Sequence, residues 1–305
     1  MDYLKLTRPL NLFIIILTQA MIKYGLLVPL EVSTALNKFQ FGLLIAATLF
    51  TAAAGNVIND LYDVAVDKIN KPNKVIVGRT VSEKGAFYWY IVLNILGVGL
   101  GFYLANSIGH PGLAAVFIIV SALLYAYATQ LKNILLGGNL LVSLLVAMSL
   151  IVVVLFDIFP AIQASPATGQ LLATKLIMGY AGFAFYINLI REVVKDIQDI
   201  DGDKNGGRNT LAISLGRQRT ANVVFILGAI ALLTVLLVCY VRLYLFQKLL
   251  AYTIFMIAAP LIYFCVKAWK AKSKRDFAHL SLVLKIVMLT GIGSMLFFAE
   301  IAPEL

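Results

Sequence analysis

Nine separate runs of apolar residues constrain what this 305-residue chain can fold into. They lie at 10–30, 40–59, 86–106, 112–130, 134–156, 171–190, 221–241, 249–268 and 281–299. Each approaches the ~20 residues a helix needs to cross a ~30 Å hydrocarbon core. The runs are continuous rather than alternating, which excludes a transmembrane β-barrel. Composition agrees: 61% of residues are hydrophobic and 13% charged, against about 45–50% and about 25% in soluble domains. An all-α integral membrane protein with nine transmembrane helices is expected. The longest stretch between runs, 191–220, is too short for a second domain, so residues 1–305 read as one domain. Asp2 precedes the first run and no small-x-small cleavage site follows it closely, so that run reads as a retained helix rather than a signal peptide.

Basic residues set the expected topology. With the N-terminus inside, only Lys23, Lys38, Lys175, Arg242 and Lys248 fall on the outer side; the other twenty of the 25 Lys and Arg fall on the cytoplasmic side. That asymmetry obeys the positive-inside rule. The expected location is the cytoplasmic membrane, with the N-terminus and the acidic loops cytoplasmic. The net charge of +10 then reports topology, because the bases flank spans where anionic lipid lies beside them. Membrane lipid is the expected neighbour. Nucleic acid is not, and no obligate protein partner is evident.

One acidic pattern occurs twice. Asn56, Asp60, Asp63 and Asp67 form the first copy, and Glu192, Asp196, Asp199 and Asp203 the second, each position 136 residues after its counterpart (56 and 192, 60 and 196). A lysine follows each last aspartate, Lys68 and Lys204. Spacings of i, i+4, i+7 and i+11 place each copy on one helix face. Like-charged acids on one face repel unless something neutralises them, and carboxylates select hard cations such as Mg2+, usually completed by phosphate oxygens. Solvated helix ends would be the plain explanation of one such stripe, but not of two in identical register. Asp201 falls off the stripe and is expected in solvent, and Gly202, Gly206 and Gly207 suggest that the second helix ends near Asp203.

The two copies begin at the inner ends of the second and sixth spans. Four spans separate them, so both helices cross in the same direction. Two parallel four-helix repeats plus a ninth helix around a central cavity follow from this, with the stripes facing each other across it.

Bases interleave with the acids: Lys68 after the first copy, Arg191 and Lys195 within the second, Lys204 and Arg208 after it. Metal-bridged carboxylates with Lys and Arg suit a diphosphate. Lys71, Lys74, Arg217, Arg219 and the cluster from Lys267 to Arg275 read instead as positive-inside anchors. Cys239 and Cys265 sit singly in apolar runs and read as small core residues. Neither His110 nor His279 has metal-ligand spacing.

Gly55–Pro72, GNVINDLYDVAVDKINKP, and Arg191–Gly216, REVVKDIQDIDGDKNGGRNTLAISLG, resemble the two aspartate-rich motifs of the UbiA superfamily of intramembrane prenyltransferases. Thr7–Asn11, TRPLN, is similar to that superfamily's N-terminal Arg-Pro segment. The resemblance implies nine helices around a cavity open laterally to lipid, and Mg2+-dependent transfer of an isoprenyl group from its diphosphate. It implies that Asp60, Asp63 and Asp67, with Asn56, hold one side of the Mg2+–diphosphate, and Asp196, Asp199 and Asp203 the other. It further implies a Tyr and a Lys after the fourth span, here Tyr127 and Lys132, with Tyr125 as an alternative, and acceptor-side positions at Arg8 and Asn11. Tyr125, Tyr127, Phe183, Phe185 and Tyr186 are candidate walls for an allylic cation. Glu192 matches Asn56 in register but can ionise, so it is a candidate base.

The motif wording is most similar to the branch that alkylates the hydroxyl of geranylgeranylglyceryl phosphate, and its bacterial relatives. That implies a prenyl diphosphate donor, geranylgeranyl diphosphate, and a lipophilic acceptor. The alternative within the superfamily is an aromatic acceptor of the hydroxybenzoate or dihydroxynaphthoate type. Outside it, a cation-coupled transporter would keep one or two acids near midplane, and a noncatalytic scaffold would not need both stripes. Seven acids at one membrane face, mixed with bases, favour the enzyme.

Overall fold

The computed structural model describes residues 1–301. Nine helices among them are long and apolar enough to cross a membrane: α1 (Pro9–Leu27), α2 (Lys38–Tyr62), α3 (Glu83–Ser107), α4 (Pro111–Thr129), α5 (Gly137–Ala164), α6 (Thr168–Asn205), α7 (Arg217–Leu243), α8 (Gln247–Lys270) and α9 (Lys274–Glu300). Local chemistry fixes several starts. Asn37 and Gln40 form a capping box at α2, Ser82 caps α3, and Ser273 with Asp276 forms a second capping box at α9. Pro9 opens α1, directly after Arg8 in a left-handed conformation (φ 54°).

Packing follows the expected duplication. The α2 helix sits against α1, α3 and α4; α6 sits against α5 and α7, and α7 against α8. The ninth helix lies on α6 and α8, and α1 meets α5 where the two quartets join. Lipid supplies no hydrophobic drive between helices, so buried polar contacts help select their partners. Gln19 donates from α1 to Thr48 of α2 and to the Ser149 carbonyl of α5, Ser121 donates to Asn94, and Asn188 donates to Ser143.

The fifth span continues past Asp157, where the apolar run stops. Asp157 is fully buried. Its Oδ2 accepts from Lys23 Nζ at 2.7 Å and its Oδ1 from the Leu36 backbone N–H at 2.8 Å. Lys23 also donates to Thr34. With the charge neutralised, the helix carries on through a π-helical stretch at Val154–Ile158 to Ala164. This pair ties α1 to α5 at the ends remote from the acidic stripes.

The first acidic stripe is not one helix. Regular structure ends at Tyr62, Asp63 adopts φ −95° and ψ 2°, and a short helix restarts at Val64–Asn70. The second stripe stays helical throughout, in α6.

Candidate active site

The break at Asp63 lets the Val64–Asn70 helix lie against the end of α6. Asn70 is buried, and its Oδ1 accepts from the Gly202 backbone N–H at 3.0 Å. A Cβ on Gly202 would come within 2.4 Å of the Asn70 amide, and one on Gly206 within 2.5 Å of Val66, so both glycines permit the close approach. The Asn70 carbonyl also accepts from Lys274 Nζ at the start of α9. Two acidic stripes far apart in sequence are thereby brought together.

Bases lace them to each other. Arg208 donates to Asp63 of the first stripe and, at 3.0 Å, to Asp203 of the second. Lys132 donates to the same Asp63 Oδ1 at 2.5 Å, and Asn59 to its Oδ2 at 2.9 Å. Lys71 reaches Asp199 at 2.8 Å, Asn139 donates to Asp196 at 2.8 Å, and Arg8 pairs with Asp60 at 2.5 Å. Burial pushes the Lys132 ammonium below its usual range even with Asp63 beside it, and burial likewise raises the Asp67 carboxyl.

Beneath this rim lies a cavity of about 300 Å³ between α1, α2, α4, α5, α6 and α9. Arg8, Asn11, Asn56, Tyr127, Arg191, Glu192 and Lys195 line its polar end. Ile14, Leu124, Leu145, Phe183, Met288 and Leu289 line its oily part. Glu192 Oε1 accepts from both Lys195 at 2.6 Å and Arg191 at 3.2 Å. Asn56 turns its amide to the Thr7 carbonyl at 2.9 Å, which anchors the segment before Arg8.

Most of the residues singled out in the sequence meet here, but several do not. Lys68 and Lys204 are exposed, as is Asp201, and no side-chain bond links either lysine to the cluster among the described residues. Lys71, four residues after Asp67, lies on the stripe's face and points in, while Lys68, next to Asp67, is turned about 100° off it and points away. Lys71 is therefore not a mere anchor. Tyr125 faces outward, stacked on Tyr90 with its hydroxyl 3.5 Å from Tyr62, so Tyr127 holds the cavity position alone. Phe185 packs into the core around α1, α2 and α5, and Tyr186 donates to the Leu227 carbonyl. Of the candidate wall residues, Tyr127 and Phe183 reach the cavity. Sequence reading missed Asn59, Asn139, Lys71, Tyr180 and Lys285. Asn59 lies one helical turn before Asp63, a spacing visible in the sequence, whereas Asn139 lies on a facing span, where spacing carries no signal.

Among the described residues no three acidic, His or Cys side chains already form a metal cage. The donor set nonetheless fits Mg2+ bound jointly with a ligand. It consists of carboxylate and amide oxygens, the hard donors that ion prefers. Among the described residues Asp199 Oδ1 and Asn59 Oδ1 are buried acceptors without a hydrogen-bond partner, which is costly unless a ligand satisfies them.

Fold and site define a polytopic membrane protein whose charged rim overlies an oily chamber. The UbiA prenyltransferase family matches residues 13–289. Digeranylgeranylglyceryl phosphate synthase of Korarchaeum cryptofilum (strain OPF8) is 33% identical over 303 residues, covering 96% of this chain and 95% of that protein. In fold, the chain resembles the apo structure of a UbiA homologue from Aeropyrum pernix K1 (TM-score 0.66, 16% identity, covering 92% and 98%). It also resembles a UbiA homologue from Archaeoglobus fulgidus bound to GPP and Mg2+ (TM-score 0.52, 14% identity, covering 97% and 99%). The chain belongs to the UbiA prenyltransferase family. It is an integral membrane prenyltransferase.

Proposed function

We propose that the protein transfers a geranylgeranyl group from its diphosphate to the free hydroxyl of geranylgeranylglyceryl phosphate, with Mg2+, at the cytoplasmic face of the membrane. The bridge from Asp63 through Arg208 to Asp203 carries this reading, because it joins both stripes at one charged rim beside an oily chamber. Near end-to-end similarity to a digeranylgeranylglyceryl phosphate synthase supports the acceptor. The solved relative with GPP and Mg2+ supports the donor class and the metal. The basic residues at the spans' acidic ends support the cytoplasmic orientation.

Asp60, Asp63, Asp67, Asp196, Asp199 and Asp203 would hold the Mg2+–diphosphate, whose metal supplies positive charge to the departing diphosphate. With Mg2+ on the acids, Lys132, Arg208 and Lys71, now paired with them, would be free to hold the phosphate oxygens. Their attraction grows as the allylic C–O bond breaks, which stabilises the transition state more than the ground state. The apolar wall excludes water, and Tyr127 and Phe183 offer ring faces to the allylic cation. The acceptor oxygen forms the new C–O bond. Its proton goes to the freed diphosphate, since Glu192 Oε1 is already shared by two cations.

The test is incubation of purified protein with Mg2+ and labelled geranylgeranyl diphosphate against glyceryl-phosphate and phenolic acceptors, with mass spectrometry of products and an EDTA arm. The expected product is the diprenylated glyceryl phosphate, lost in EDTA and restored by Mg2+. A prenylated phenol alone would move the protein to the aromatic-acceptor class, and EDTA-resistant transfer would overturn the metal role.

A further inference from the structure

The cavity wall carries more positive charge than the rim chemistry uses. Five charged residues line it: Arg8, Arg191, Glu192, Lys195 and Lys285. Asp60 neutralises Arg8, and Glu192 is one acid against the remaining three bases. Lys285 lies eleven residues into α9, about 16 Å along the helix from its start. Among the described residues no carboxylate forms an ion pair with it, and the like charge of Arg191 shares the cavity. The Arg191 Nε is buried and donates to nothing among the described residues. Ionisable groups at such depth are expensive unless they serve a ligand.

Depth separates this pair from the diphosphate rim. Arg191 precedes Asp196, the nearest rim acid, by five residues, Asp199 by eight and Asp203 by twelve, about 7.5, 12 and 18 Å along α6. A donor whose diphosphate sits on the rim would put its hydrocarbon, not its charge, at the level of Arg191 and Lys285. Glu192 alone faces Arg191, Lys195 and Lys285 there, which leaves net positive charge suited to a second anion.

We infer that Arg191 and Lys285 form a distinct anion site inside the cavity that takes the phosphate of a phosphomonoester lipid acceptor. The inference rests on the glyceryl-phosphate reading above and adds the residues that select it. In such an acceptor the phosphate and the free hydroxyl occupy adjacent glycerol carbons. A phosphate anchored between α6 and α9 therefore presents the hydroxyl toward the rim, where the donor's reacting carbon would lie.

The test measures binding of 1-O-octadecylglycerol 3-phosphate and of 1-O-octadecylglycerol by calorimetry in detergent, with wild type, Lys285→Met and Lys285→Arg. Wild type is expected to prefer the phosphate lipid by about tenfold or more, as charge-assisted hydrogen bonds allow. Methionine keeps the length and apolar stem, so Lys285→Met should cut that preference at least about fivefold and arginine should restore it. Binding of a nonreactive prenyl thiolodiphosphate should change less than about twofold, because the donor anion sits elsewhere. If Lys285→Met fails to fold, Arg191→Met with the same probes decides. No phosphate preference in wild type, a preference unaltered in the variant, or equal weakening of the thiolodiphosphate would each overturn the inference. Tight phosphate-lipid binding without any prenyl transfer to glyceryl phosphates would instead sink the acceptor reading and leave the anion site standing.

Discussion

Replacing Gly202 by alanine tests the joining of the stripes without touching a charge. The new Cβ would stand 2.4 Å from Asn70 Cγ and Nδ2 and 2.5 Å from Oδ1. Asn70 is buried, 8% exposed, and cannot swing away, so the Val64–Asn70 helix must retreat by about 1 Å to restore ordinary contact. The bond from Gly202 N–H to Asn70 is lost, about 1 kcal/mol, and overpacking adds about 1–3 kcal/mol. The cost falls on the docking of one short helix, so the nine spans should persist. Misplacement by about 1 Å at a reacting centre costs about a hundredfold, and kcat/KM for prenyl transfer should drop by that order. Gly182→Ala, on the same helix with nothing within 4 Å of its Cβ, should stay within about twofold of wild type. Wild-type activity in Gly202→Ala, or equal loss in Gly182→Ala, would refute the docking argument.

Two further variants test charges that sequence and structure rank differently. Lys71→Met should lower kcat/KM about tenfold, because Lys71 holds Asp199, whereas exposed Lys68→Met should leave steady-state transfer within about twofold. Asp157→Ala leaves Lys23 buried without its partner, and should cost about 3–5 kcal/mol in denaturant unfolding. The double change Lys23→Met with Asp157→Leu should recover most of that loss, and a single variant as stable as wild type would dismiss the pair as a fastener of α1 to α5.

Hydropathy made the nine spans legible, because each must satisfy its own backbone in lipid. Span ends were harder to read. The fifth apolar run stops before Asp157, and only the fold reveals that Lys23, on another helix, neutralises it. The doubled acids announced the site, and their register predicted that the two stripes would face each other. The helix break after Tyr62 was hidden, since LYDVAVDK has no Gly or Pro to signal one. Lys71, four residues after Asp67, continues the stripe's face and reaches Asp199, whereas Lys68 is turned about 100° off it. Tyr125 and Tyr127 are chemically equivalent in sequence, and only the rotation of α4 separates the outward ring from the inward one. Lys285 lay unremarked in the last apolar run because its neighbours come from α6.

The most direct measurement of the central claim is a double-mutant cycle on binding of a prenyl thiolodiphosphate in Mg2+, using Asp63→Asn, Asp199→Asn and the pair. If both stripes grip one metal–diphosphate, the losses must couple by about 1 kcal/mol or more. Losses that add within about 0.3–0.5 kcal/mol would mean the two carboxylates serve separate sites, contradicting the account.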